Sequence, residues 1–360
     1  MKNILFVGAF NNNNKDGSTG GQLFACHSLI NSDLKNHFNF IKIDSTITSV
    51  PIPPIWFRAF KAIIRVVKFI YYLIFNKIDS VLIFSGDSFS FIEKGFMVII
   101  AKAFSKNILF APRSGMSIDD YTNSKFMKWY MKSVIRASTF VICQGQFWIN
   151  FYKEMDFEND SKFILVSNWI DANFYNSINY KITETNLNIL YIGWLEEYKG
   201  VLDLLEALII LKNKNKNFLC QIYGGGSLFD KIKIIISENE LDNNVVLMGW
   251  ANKQVKKEAY SKADIFILPS HFEGFPNSLI EAMSAELPVI SSNVGAVGDI
   301  IEDGINGFIF DSKNINQLVE KIETLISDSD LRMIMAINAR KKITKKFTVL
   351  QAVEKLNKIL

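Results

Sequence analysis

The chain has 360 residues, 49% of them apolar, and a formal net charge of +4. That length exceeds what one ordinary hydrophobic core accommodates and predicts two globular domains, while so modest a basic excess argues against a dedicated nucleic-acid binder. Cys26, Cys143 and Cys220 are odd in number and far apart, with no Cys-x-x-Cys spacing, so they read as small core residues in a reducing compartment and exclude a disulfide framework.

The first apolar run, residues 4–10, has one lysine before it and an Asn-rich stretch after it instead of a small-residue cleavage pattern. It predicts a first strand rather than a signal peptide. The turn Asp16-Gly17-Ser18-Thr19-Gly20-Gly21-Gln22 follows, at the position where glycine lets backbone approach a phosphate. Gly20 and Gly21 are therefore candidate donor contacts, with a plain flexible turn as the competing reading. The turn lacks the Gly-x-Gly-x-x-Gly spacing of a dinucleotide site, which counts against an NAD-dependent oxidoreductase.

Further strand-like runs fall at 38–43, 81–84, 108–111, 140–143 and 163–166, separated by helix-length segments. The alternation restarts at 187–192 and continues through 218–223, 245–248, 265–268, 289–291 and 307–310. Two doubly wound α/β units in series are predicted, each a parallel sheet with helices on both faces. We place the first, Rossmann-like and acceptor-binding, at 1–170, and the second, also Rossmann-like and nucleotide-sugar-binding, at 171–345. The last segment, 346–360, is expected to be a helix packing back on the first unit.

Within the first unit, the segment from Trp56 to Lys77 is apolar but interrupted by Arg58, Lys61, Arg65 and Lys68. On a helix these cations form one stripe beside a broad surface of Trp56, Phe57, Phe60, Ile63, Ile64, Val67, Ile70 and Tyr71. A helix lying in an anionic membrane interface and an ordinary sheet-covering helix with a basic edge both fit this pattern.

In the second unit, Ser270-His271-Phe272-Glu273-Gly274-Phe275-Pro276-Asn277-Ser278-Leu279-Ile280-Glu281 places one carboxylate before a turn and another on the helix after it. Asn277, Ser278 and Leu279 open that helix and present free N–H groups to an anion, and Glu281 lies one turn beyond Asn277 on the same side. A diphosphate and its ribose fit this arrangement, with Glu281 accepting from both ribose hydroxyls. The neighbours Leu279, Ile280, Ala282 and Met283 imply a buried helix, in which a carboxylate requires a partner.

These residues resemble family 4 glycosyltransferases of the GT-B fold, whose signature is Glu, seven residues, then Glu. Gly193-Trp194-Leu195-Glu196-Glu197-Tyr198-Lys199-Gly200 is similar to the family's phosphate-binding lysine loop, and Tyr223-Gly224-Gly225-Gly226 to its next glycine turn. The resemblance covers roughly residues 187 to 312. It implies two Rossmann-like domains facing across a cleft and a retaining, metal-independent transfer of a sugar from a nucleotide-diphosphate sugar to a hydroxyl acceptor. By the same resemblance Glu273 binds donor sugar hydroxyls, Lys199 stabilises the leaving diphosphate, and Gly224 and Trp194 line the donor. Arginine is usual where Trp194 stands, so one cation is missing. Arg113, after a first-unit strand where the family often has histidine, is expected to replace it, with a structural salt bridge on the domain surface as the plain alternative.

No cofactor is expected. His27, His37 and His271 show no ligand spacing for a metal. The expected partners are a nucleotide sugar and a saccharide or lipid-linked saccharide used in bacterial surface polysaccharide synthesis, and the expected place is the cytoplasm, peripheral to the membrane. A sugar-nucleotide-binding protein that has lost turnover is the harder rival, because Trp194 already breaks one motif.

Overall fold

The computed structural model describes residues 1–11, 21–46, 53–155, 157, 160–175 and 187–360. The chain divides into two compact units, unit 1 formed by Met1–Trp169 together with Val349–Leu360, and unit 2 by Ile170–Thr348. Residues 16–20 of the glycine-rich turn, Gly20 included, lie outside the described residues; Gly21 is exposed at the first position of a helix.

Unit 1 runs β1 (Lys2–Gly8), α1 (Gly21–Ile30), β2 (Phe38–Asp44), α2 (Ile55–Phe75), β3 (Ser80–Ser85) and α3 (Ser88–Ala103). It continues with β4 (Asn107–Pro112), α4 (Ser117–Asn123), α5 (Lys125–Ala137), β5 (Phe140–Cys143), α6 (Gln146–Lys153) and β6 (Phe163–Leu165). The six strands pair in parallel in the order β2-β1-β3-β4-β5-β6. Strands such as β3, buried at every position, are near-continuous apolar runs because helices cover both faces. β1 stops at Gly8, short of the apolar run, because the Phe10 N–H turns to the Asp44 carboxylate and Thr46 hydroxyl.

Unit 2 runs β7 (Leu187–Ile192), α7 (Val201–Asn213), β8 (Phe218–Tyr223), α8 (Phe229–Glu238), β9 (Val245–Gly249), α9 (Lys253–Lys262) and β10 (Ile265–Leu268). Then come α10 (Asn277–Ser284), β11 (Val289–Ser292), α11 (Val297–Ile300), β12 (Phe308–Phe310), α12 (Ile315–Ser327) and α13 (Ser329–Lys346). Its parallel sheet has the order β12-β11-β10-β7-β8-β9. Side chains of Asn252, Asn314 and Asp328 cap α9, α12 and α13 by accepting from first-turn N–H groups.

The last helix, α14 (Val349–Asn357), belongs to unit 1, where Ala352, Val353, Leu356 and Leu360 join the core of Ile4, Phe6 and Leu82. The side chains of Lys2 and Ser80 both donate to the Leu360 carbonyl at 3.2 Å.

Helix α2 departs from the expected stripe at one position. Arg65 is buried, its guanidinium bound in a two-pronged contact to Glu93 of α3 at 2.6 and 2.9 Å, with Lys94 on the same carboxylate at 2.8 Å. The buried side of α2 is Ala62, Arg65, Phe69 and Leu73, and much of its apolar surface faces solvent. A charge on the inner side of a helix is tolerated only when paired, and Glu93 provides that pairing. Among the described residues no helix is long and apolar enough to cross a membrane.

Candidate functional site

In unit 2 the sheet grows from β7 through β8 and β9 on one side, and through β10, β11 and β12 on the other. The order reverses between β7 and β10, the kind of switch point at whose carboxyl ends doubly wound sheets bind ligands. Lys199 follows β7 and Glu273 follows β10. Their side chains form an ion pair at 2.7 Å, with 17% and 9% of each side chain exposed. The Ser270 hydroxyl donates to the same Glu273 oxygen at 2.8 Å. An ammonium carries three donors, so two of those on Lys199 remain for an anion.

The two loops are fastened to each other. His271 N–H donates to the Tyr198 carbonyl, and the His271 ring meets Asp203 at 2.8 Å. Gly200 has φ +65°, and a Cβ there would lie 1.9 Å from the Pro269 carbonyl oxygen. Only glycine permits that approach. Gly200→Ala is therefore expected to cost roughly 1–3 kcal/mol or more and to lower the unfolding temperature; a thermal melt indistinguishable from wild type would show that the loops need not touch.

Helix α10 starts after Pro276, whose own side chain makes no capping hydrogen bond. Asn277 and Ser278 are half-buried there, whereas the Leu279 side chain is fully buried, so Leu279 can offer a ligand only its backbone N–H. One turn on, Glu281 accepts from Lys256 at 3.1 Å and from the Tyr260 hydroxyl at 3.0 Å, and the Tyr175 ring meets that of Tyr260 edge to face. The partner that a carboxylate on this helix requires is thus present in the protein itself, so the burial of Glu281 is satisfied without a ligand. Burial, followed by the charge of Glu281, pushes the Tyr260 hydroxyl well above its usual range. It remains a neutral O–H donor.

Lys256, Tyr260, Tyr175, Ser270 and Trp250 are site residues that the sequence did not single out. Lys256 and Tyr260 stand one turn apart on α9, a spacing with no distinguishing signal in so lysine-rich a chain.

Trp194 and Trp250, on the loops after β7 and β9, meet edge to face with ring centroids 4.5 Å apart. The glycine turn after β8 lies against them. A Cβ on Gly224 would fall 1.9 Å from the Gly193 carbonyl oxygen, and one on Gly225 would fall 2.4 Å from Trp250 Nε1. Trp194 thus forms part of an aromatic wall, and neither indole neutralises phosphate.

Arg113 belongs to unit 1 and lies at the carboxyl end of β4. Its guanidinium packs over the rings of Phe84 and Trp169, 4.7 and 5.3 Å from their centroids, and donates to Asn168. Its Nη1 is buried without a hydrogen-bond partner. Burial lowers its pKa to about 10, so it keeps its charge at neutral pH. This is not the surface salt bridge that formed the plain alternative. Trp169, where the resembled family usually has glycine, packs on Arg113 and donates from Nε1 to Ser28 at 2.6 Å. Among the described residues no three His, Cys, Asp or Glu side chains cluster as a metal site.

Residues 176–342, all within unit 2, match the sequence model of the family described as Glycosyl transferases group 1. Over 191 residues the chain is 30% identical to the capsular polysaccharide biosynthesis glycosyltransferase CapM of Staphylococcus aureus, covering 52% of this chain and 48% of the relative. Over 168 residues it is 29% identical to the UDP-Gal:alpha-D-GlcNAc-diphosphoundecaprenol alpha-1,3-galactosyltransferase of Escherichia coli, covering 46% and 43%. The chain spans about half the length of the curated relatives it matches. Across its whole length it is similar in structure to sucrose-phosphate synthase from Thermosynechococcus elongatus, with a TM-score of 0.84, 15% identity, and coverage of 100% and 98%.

The fold is GT-B. The two parallel six-stranded sheets are its paired α/β units, and the family match falls on the GT-B unit that carries the Lys199–Glu273 pair.

Proposed function

We propose that the protein is a retaining, metal-independent glycosyltransferase that moves a sugar from a nucleotide-diphosphate sugar to a hydroxyl of a lipid-linked saccharide in bacterial surface polysaccharide synthesis. The observation that carries this reading is the Lys199–Glu273 pair at the unit 2 switch point, with the start of α10 and Glu281 following it in sequence. The diphosphate binds at the N–H groups of Asn277, Ser278 and Leu279, and Glu281 exchanges Lys256 and Tyr260 for ribose hydroxyls.

As the bond from the anomeric carbon to the diphosphate breaks, charge grows on the leaving oxygen, and the free donors of Lys199 oppose it. Glu273 holds Lys199 in place and accepts from the sugar hydroxyls. The acceptor oxygen bonds to the face that the diphosphate leaves, and its proton passes to the departing phosphate. Arg113, whose Nη1 has no hydrogen-bond partner among the described residues, is the candidate for a further cation. Two relatives, one named for capsular polysaccharide synthesis and one for a diphosphoundecaprenol-linked acceptor, support the choice of acceptor. In this reading the protein works in the cytoplasm, on the membrane surface.

The test is a panel of UDP-, GDP- and dTDP-sugars, scored by thermal shift and by donor hydrolysis, with a membrane lipid extract as acceptor. One donor that both shifts and turns over is the expected outcome. A donor that binds with no hydrolysis or transfer would leave a sugar-nucleotide-binding protein, and nicotinamide binding in place of any sugar nucleotide would make it an oxidoreductase.

A further inference from the structure

Helix α2 has two apolar sides. One packs inward, while the other faces solvent, with Trp56 69% exposed, Phe60 58%, Ile63 63%, Val67 61% and Tyr71 55%. These positions fall on one face at the helical repeat. Helix α3, packed against α2, adds Phe96 at 49% exposure. A continuous apolar helix face of this kind is unusual on a surface that meets only water.

Beside this face, between α2 and the carboxyl end of β2, lies a cavity of about 500 Å³. Its polar lining is Asp44, Thr46, Arg58, Lys61, Arg65 and Lys68. Two of the charged groups are already engaged. Asp44 accepts from Phe10 N–H, from the Asn11 amide and from Thr46, and Arg65 shares Glu93 with Lys94. Arg58, Lys61 and Lys68 instead rest over the rings of Phe89, Phe57 and Tyr72, and none of the three pairs with a carboxylate among the described residues. The cavity therefore has an excess of three cations, at the carboxyl end of the edge strand β2.

A free polar anion leaves the outward face of α2 unexplained, and an apolar protein partner leaves the three cations unexplained. An anionic amphiphile satisfies both. We propose that the cavity binds the phosphate of an anionic membrane lipid while the outward face of α2 enters the headgroup boundary of the bilayer. This deepens the membrane part of the function proposed above and is independent of the transfer chemistry, because it involves unit 1 residues alone.

The experiment uses the full chain with vesicles of phosphatidylcholine alone or mixed equally with phosphatidylglycerol, read by co-sedimentation. Binding is expected to the anionic vesicles and to fall with salt. The triple variant Arg58→Gln, Lys61→Gln, Lys68→Gln keeps the buried Arg65–Glu93 pair and is expected to bind about a hundredfold more weakly, each cation contributing roughly fivefold. Val67→Glu spares the cavity and is expected to release the protein as well. Equal binding to neutral vesicles, or undiminished binding by the triple variant, would overturn the proposal. A thermal shift with inorganic phosphate that the triple variant loses, with no vesicle binding by wild type, would assign the cavity to a soluble phosphate and reject the lipid. The donor-induced shift of unit 2, read on the same preparations, separates a failure here from a failure of the transferase reading.

Discussion

Glutamine in place of Glu281 will weaken binding of the nucleotide-diphosphate sugar by roughly tenfold to a hundredfold. The carboxylate can accept from both ribose hydroxyls, and a charge-assisted hydrogen bond contributes about 1.5–3 kcal/mol. The amide keeps one acceptor and loses one such bond. The free protein moderates the effect, since Glu281 is already satisfied by Lys256 and Tyr260, and ribose binding exchanges partners rather than rescuing an orphaned charge. Glutamine also preserves side-chain volume beside Tyr260, so the fold should survive and the loss should appear in calorimetric titration with the donor. If the affinity is untouched, the ribose lies elsewhere and the assignment of α10 fails with it.

Lys199→Ala is expected to lower kcat by about a hundredfold to a thousandfold, the usual consequence of removing one group that stabilises charge formed in the transition state. KM should change less, because the α10 N–H groups still hold the diphosphate in the ground state. The substitution also strips Glu273 of its cation while 9% of that side chain is exposed, leaving only Ser270 to donate to it. An unpaired buried carboxylate is destabilising, so part of any loss could come from damage to the loop. Lys199→Arg separates the two effects, since it keeps the charge and the pair with Glu273. Partial recovery of single-turnover transfer in the arginine variant supports the electrostatic role, whereas two variants equally active with wild type would remove Lys199 from the chemistry.

The strands were the most legible part of the chain because buried parallel strands are short, unbroken apolar runs, and β5, β7, β8 and β10 begin and end where those runs do. The Lys199–Glu273 pair was legible as two separate loop residues, each marked by a neighbouring glycine. Their contact was not, because it depends on β7 and β10 being neighbours, which chain order conceals. Lys256 and Tyr260 were hidden for a related reason. Helix α9 carries the chain from the edge strand β9 back past β8 and β7 to β10, and this crossover brings its inner side to Glu281. The basic stripe on α2 shows the limit of helical periodicity. The spacing groups Arg58, Lys61, Arg65 and Lys68 correctly, but only the packing of α3, with Glu93, decides that Arg65 is the one turned inward.

The placement of α14 bears on the order in which the molecule can assemble. Unit 2 is one unbroken stretch of chain and has all its parts once Thr348 has been made. Unit 1 pairs its opening strand with its closing helix, Ile4 and Phe6 sharing a core with Leu356 and Leu360. A growing polypeptide therefore carries an unsealed unit 1 until residues 349–360 have emerged from the ribosome, and its open core is accessible to chaperones and to self-association meanwhile.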